Sequence, residues 1–405
     1  MPRPLAIPPS FALGLAAALA LGLAACTPSP RPGSLPQTSV PENRPQPAQP
    51  PGGPGAADVH GRVNVALLVP LSGAEAGAVD AGNAIANAAR MAATDLGDPA
   101  LELSVHDTGG TPEGARAAAQ TAVGEGAALI LGPLFGPNTG AVGEVALRAG
   151  VQVISFSNDS SVAGGPVFVS GFLPEAEAAR VVGFAAARGH DRLAVFYPDT
   201  GYGHAALRGA ERAARVVAAS GYPRSFQGIQ DASGSFAGAA RAAGANAVLL
   251  PDSGQGLRSA AAFLDYGGLD PARVRFLGLG QWHNEGTLQE ATLRGGWFAA
   301  PDPERFETFA RLYSARHGAR PPQVAVLGYD AVQAAGQLLT EARQAGSRNP
   351  FGRAELTRAQ GFRGALGPFR FDADGSSHRA MAILEVGEGG FAVIDPAPSR
   401  IDLLF

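Results

Sequence analysis

The chain of 405 residues has no lysine and a single cysteine, Cys26. All 31 basic residues are therefore arginine, which excludes Schiff-base catalysis and the lysine-dependent phosphate loop. One thiol cannot form an intramolecular disulfide, so the folded part must be held by its core alone. Histidine is sparse too. The seven are scattered without metal-ligand spacing, so no zinc site and no cofactor are expected. Net charge is only −4, with no basic patch and no interleaving of aromatic and basic residues, which argues against nucleic acid as a partner. Neither Gly-x-Ser-x-Gly nor His-Glu-x-x-His occurs, and Gly201-x-Gly203 and Gly278-x-Gly280 do not extend to dinucleotide fingerprints. The expectation is that the chain is not an enzyme.

What is present begins at the N-terminus. An apolar run from Phe11 to Ala25 stops at Cys26; its fifteen residues fall short of the about 20 that cross a bilayer. Leu23-Ala24-Ala25-Cys26 resembles a bacterial lipobox, which implies removal of residues 1–25 and a lipid on Cys26. An ordinary secretory signal with a chance cysteine is the alternative. Thr27, rather than aspartate, follows the cysteine, and the resemblance then implies a periplasmic protein sorted to the outer membrane. Residues 26–60 are dense in proline, from Pro28 to Pro54, and lack apolar periodicity, so they read as a disordered polyproline tether. Extended at about 3.1 Å per residue, Thr27 to Asp58 would reach roughly 100 Å. Such a tether is either a passive spacer or an arm that reaches a partner.

From Arg62 onward the chain alternates strand and helix. Val63 to Val69 is a near-continuous apolar strand, as expected when both faces of a parallel sheet are covered. A helix over Asp80 to Leu96 carries Ile85, Ala88, Ala92 and Leu96 on one stripe. Leu101 to His106 is the next strand, and Thr111-Pro112 opens a helix with a cap and proline. Ala128 to Leu131, Val151 to Phe156 and Val167 to Val169 supply further strands. A second series starts at the strand Leu193 to Tyr197 and continues with a helix through Ala205 to Ala219. A strand near Tyr222 to Gln227, a helix near Phe236 to Ala243 and a strand at Ala247 to Leu250 follow, then a helix at Leu257 to Tyr266 and a strand at Val274 to Leu277. Trp297 and Phe298 are expected to mark a return crossing. Helices over Glu304–Arg316 and Val326–Ala342 would complete the first lobe, and Phe369–Phe371 and Ala380–Val386 would add strands to the second. This predicts an α/β chain of two doubly wound lobes, one of residues 61–172 and 300–366, the other of 173–299 and 367–405.

Four strand-end segments carry a family resemblance: Val69-Pro70-Leu71-Ser72-Gly73, Leu131-Gly132-Pro133-Leu134, Val153-Ile154-Ser155-Phe156-Ser157 and Asp199-Thr200-Gly201-Tyr202-Gly203. In that order they resemble the type I periplasmic binding proteins of the leucine/isoleucine/valine-binding superfamily, from Arg62 to the C-terminus. The resemblance implies Rossmann-like lobes, a hinge of crossing segments and a small-molecule site in the cleft between lobes. Within the superfamily, Leu131-Gly132-Pro133-Leu134-Phe135-Gly136, Phe156-Ser157-Asn158-Asp159, Gly280-Gln281-Trp282 and Gly295-Gly296-Trp297-Phe298 resemble lipoproteins known as penicillin-binding protein activators. That group implies a non-catalytic regulator whose partner is a peptidoglycan synthase. The alternative is an amino-acid receptor serving an ABC transporter. Against it, Gly132-Pro133-Leu134-Phe135-Gly136 has no hydroxyl where transport members are serine-rich, and Asp159 would repel a ligand carboxylate. Gln281 and Trp282 stand where an acid for an ammonium group is expected. The candidate cleft residues are Ser72, Ser157, Asp159, Tyr202, Asp252 and Trp282. Five of them have a structural reading as well: Ser72 and Ser157 as partners of loop amides, Asp159 and Asp252 as turn residues, and Trp282 as packing.

Overall fold

The computed structural model describes residues 61–73 and 75–403; the leader, Cys26 and the tether lie outside the described residues. The first lobe opens with β1 (Val63–Val69), α1 (Ala76–Leu96), β2 (Leu101–Asp107), α2 (Pro112–Gly124), β3 (Leu129–Leu131), α3 (Gly136–Ala149), β4 (Gln152–Ser155) and β5 (Val167–Val169). Its strands form one parallel sheet in the order β2-β1-β3-β4-β5. β1 is buried almost throughout because helices cover both faces. The expected cap at Thr111 is present, its side chain accepting from the Gly114 amide with Pro112 in the first turn.

The second lobe holds α4 (Pro174–Ala186), β6 (Leu193–Pro198), α5 (Gly201–Ala213), β7 (Val216–Tyr222), α6 (Phe226–Ala242), β8 (Ala247–Leu249), α7 (Gly254–Tyr266), β9 (Arg275–Gly278), α8 (Glu285–Leu288) and β10 (Trp297–Ala300). The chain then returns through α9 (Pro303–His317), α10 (Ala325–Ala345) and α11 (Arg353–Leu356) to pack on the first lobe. It ends with β11 (Phe362–Gly364), β12 (Gly367–Phe371), β13 (Ser377–Arg379), β14 (Ala382–Val386) and β15 (Phe391–Asp395). The second sheet runs β15-β14-β10-β9-β8-β6-β7, and its parallel part, β7-β6-β8-β9-β10, repeats the winding order of the first sheet. Each sheet reverses direction beside its first strand, so the loops at the carboxyl ends of the strands face one crevice.

Several expectations are corrected. The helix expected to run to Ala219 stops at Ala213, and Val216–Tyr222 is a strand instead. The alanines there favour helix, but the Val216-Val217 pair fits a pleated edge, and Pro223 cannot extend the ladder. The strand expected near Tyr222 to Gln227 ends at Tyr222, and the helix expected near Phe236 starts already at Phe226, capped by Ser225; Gly228 and Gly234 obscure its apolar period in the sequence. Trp297 and Phe298 are not the crossing itself but strand β10, parallel to β9.

Phe369–Phe371 does not join the second sheet. It lies in a separate antiparallel sheet, β11-β12-β13, whose Phe362, Phe369 and Phe371 pack into the first-lobe core with Phe168 and the buried face of α10. Bringing those rings out of water outweighs any strand-edge pairing available in the other lobe. Ala382–Val386 pairs antiparallel to β10 as an added strand of the second sheet.

Candidate functional site

The strand ends converge on a cavity of about 350 Å³ between the lobes. Leu134 and Phe135 follow β3, Phe156 and Asn158 follow β4, and Phe172 lies where the chain leaves the first lobe. Glu177 on α4, Tyr202 in the first turn of α5, and Gly280 and Gln281 after β9 face them from the second lobe. Gln323, Val324 and Leu327 close the cavity from the start of α10. The wall is thus mostly apolar, with three side-chain amides and one carboxyl group, and none of its residues is basic.

Glu177 is the electrostatic centre. Only 3% exposed, it accepts a hydrogen bond from the Gly280 amide at 2.9 Å, and the Tyr202 hydroxyl donates to it. Burial dominates these two bonds and pushes its pKa up to about 7. The same burial, with the Glu177 charge beside it, raises the Tyr202 phenol well above its usual value, so Tyr202 remains a neutral donor. The acid expected in the Gly280–His283 loop after β9 is absent there, yet a carboxyl group reaches the same backbone from α4. Two acids in the first turn of a helix, Glu175 and Glu177, are the sequence signal that could have pointed to it.

Of the residues expected in the cleft, Tyr202 lines the cavity; the others do different work. Ser72 donates to Asp107 at 2.5 Å, and the Leu71 and Ser72 amides also reach that carboxylate. Burial opposes ionisation of Asp107, but these bonds and one from the Gly109 amide outweigh it and lower its pKa. Ser157 is buried and accepts from the Asp159 amide at 3.0 Å, extending a chain through Ser155 to Thr139 that fixes the loop. Asp159 accepts from the amide and hydroxyl of Ser161, capping the short turn after β4. Asp252 is 3% exposed and accepts from the Tyr222 hydroxyl, the Arg224 guanidinium and the Ser253 amide. Trp282 is fully buried in the second-lobe core, its indole donating to the Leu250 carbonyl at 3.0 Å. A short turn sends Trp282 inward while its neighbour Gln281 faces the cleft. Among the described residues no cluster of histidine, cysteine, aspartate and glutamate is placed to hold a metal ion.

A family model described as periplasmic binding protein matches residues 62–390. Among solved structures the chain is similar to an ABC transporter substrate-binding protein from Sphaerobacter thermophilus, at 20% identity and a TM-score of 0.65, over 85% of this chain and 100% of that one. It is also similar to the solute-binding protein of an ABC transporter from Rhodopseudomonas palustris BisB5 in complex with 3,4-dihydroxybenzoic acid, at 19% identity, a TM-score of 0.59, and 84% and 98% coverage. A third is the branched-chain amino acid transporter substrate-binding protein from Streptococcus pneumoniae in complex with isoleucine, at 17% identity, a TM-score of 0.58, and 83% and 100% coverage. At such identities the likeness carries the fold, a leucine-binding-type two-lobe architecture. No curated protein sequence matches the chain.

Proposed function

The chain belongs to the periplasmic binding protein family, and from that premise we propose that it is a non-catalytic receptor for a small solute held between its lobes. The observation that carries this reading is Glu177, a buried carboxyl group at the wall of an apolar cleft whose lining residues include no base. A ligand carboxylate would meet like charge there in a low-dielectric setting and find no cation to pair with. The isoleucine and dihydroxybenzoic acid held by the two similar proteins both carry such a group. The complementary ligand here has an apolar or aromatic body against Phe135, Phe156 and Phe172, and a protonated amine directed at Glu177 and Tyr202. A thermal-shift series with phenethylamine, isoleucine and 3,4-dihydroxybenzoate tests this. Phenethylamine should raise the Tm, more at pH 8 than at pH 6 because Glu177 must ionise to pair with it, and Glu177→Gln should abolish the response. A response to the two acids but not to the amine would overturn the ligand class.

A second reading is regulation of a penicillin-binding protein. It is supported by the motif resemblance, by the lipobox and proline-rich tether, and by the internal use of Ser72 and Ser157, which removes the hydroxyls an amino-acid receptor would employ. On this reading a lipid on Cys26 anchors the chain, at the outer membrane, and the tether carries the lobes to the synthase. Adding the full chain to the organism's bifunctional synthase should then raise glycan polymerisation or crosslinking; unchanged rates and no complex would remove this reading. Anchoring has its own check: Cys26→Ser should move the protein from the membrane fraction to the soluble one.

A further inference from the structure

A second cavity, of about 470 Å³, lies among the short turn after β4, helices α4 and α5, and the β12–β13 turn. It shares no lining residue with the cleft. Two residues on its wall each hold a buried oxygen that is turned away from the open space and has no hydrogen-bond partner among the described residues. Glu175 is 7% exposed; its Oε1 accepts from the Ser160 hydroxyl at 2.5 Å and from Arg208 Nη2 at 2.9 Å, while Oε2 has no partner. Ser377 is 3% exposed and its hydroxyl also has no partner. Native structures rarely leave such groups unpaired. Arg212, on the same wall, donates only Nε, to the Arg208 carbonyl at 3.2 Å, and enters no ion pair among the described residues. The remaining acid, Asp374, is occupied by the Ser376 amide and hydroxyl at 2.9 and 2.6 Å.

We infer that this cavity is a second binding site, for a small zwitterion. The anionic end pairs with the Nη nitrogens of Arg212, and an ammonium or hydroxyl donor at the other end fills Glu175 Oε2 and Ser377 Oγ. Both oxygens are shut off from the open space of the cavity, so the terminal torsion of Glu175 and χ1 of Ser377 must turn to present them to that donor. A simple anion would meet Glu175, and a simple cation would meet Arg208 and Arg212, so only a molecule bearing both signs satisfies the wall. Ser377, on β13, packs with the first lobe, and Glu175 and Arg212 belong to the second, so the occupant touches both.

Calorimetric titration of the full chain with taurine and L-serine, and with acetate and ethylamine as half-ligands, tests the site. At least one zwitterion should bind at least tenfold more tightly than either half-ligand. Arg212→Ala, an exposed substitution that should leave Tm unchanged, should weaken binding at least tenfold, and Glu175→Gln should weaken it as well. Tyr202→Phe, in the cleft, should leave it intact, which separates this site from the cleft reading. Failure of both zwitterions to bind would overturn the inference. So would binding that survives Arg212→Ala, including binding lost only in Tyr202→Phe, which would place the ligand in the cleft.

Discussion

An acid in the first turn of a helix normally ionises readily, because the amide end of the helix favours negative charge. Glu177 does the opposite, since α4 buries it so completely that desolvation exceeds both the dipole and its two hydrogen bonds. The sign of the consequence is fixed. Its folded pKa of about 7 lies above the ordinary 4.5, so between those values the folded protein keeps a proton that the unfolded chain has released. The stabilisation is complete below pH 4.5 and lost as pH rises through 7, about 3 kcal/mol in all at 1.36 kcal/mol per pH unit. Urea unfolding of the wild type and Glu177→Gln at pH 4.5 and pH 8 should show the wild type losing about that much relative to the variant; a constant difference would contradict it. The sequence indicated part of this site. Leu134, Phe135, Asn158 and Gln281 sit in the quoted strand-end motifs, but loop position alone does not fix side-chain direction. That is why Gln281 lines the cleft while Trp282 fills a core, and why Glu177, arriving from another element, left only the pair of acids in the first turn of α4 as its trace in the sequence.

At the scale of the element, each lobe uses a tight strand–turn–helix unit in which a helix glycine passes over the preceding strand-end carbonyl. A Cβ on Gly203 would lie 2.0 Å from the Pro198 carbonyl oxygen, and one on Gly114 would lie 2.2 Å from that of Thr108. Gly203→Ala must therefore push α5 off β6 and should cost about 1–3 kcal/mol. Thr200→Ala only removes the cap that accepts from the Gly203 amide at 3.2 Å and should cost about 1 kcal/mol. Equilibrium denaturation of both variants checks the order; an equal or reversed cost would mean that the turn relaxes freely. The central parallel strands were legible because burial on both faces writes a continuous apolar run. The α5–β7 boundary was obscured by alanines that suit either state. β15 escaped notice because its partly exposed residues carry no strong period.

At the scale of the whole molecule, the lobes are joined by three chain crossings: at Phe172–Leu173, at Pro301–Asp302 and at Ala380–Met381. Arg379, just before the third, ties it to the first and to the returning helix. Its Nε and Nη2 donate to the carbonyl and hydroxyl of Ser170, both at 2.9 Å, and Nη1 pairs at 2.8 Å with Asp330 of α10, which is fully buried. The guanidinium also lies over the Phe369 ring, 4.5 Å from its centroid. Burial raises the Asp330 pKa, and Arg379 is the main force against that rise. Removing the arginine alone strands a buried charge. Arg379→Met should therefore cost about 3–5 kcal/mol, far more than an exposed ion pair is worth. Asp330→Asn added to Arg379→Met removes that charge while still accepting from the Ala365 amide, and should recover part of the loss. The deficit of the single variant should also shrink toward acid pH, where protonated Asp330 no longer needs a partner. Denaturant midpoints of the three proteins at pH 5 and pH 8 read both effects. A single variant as stable as the wild type, or a double variant no better than the single, would mean that the crossings are held by apolar packing rather than by this arginine.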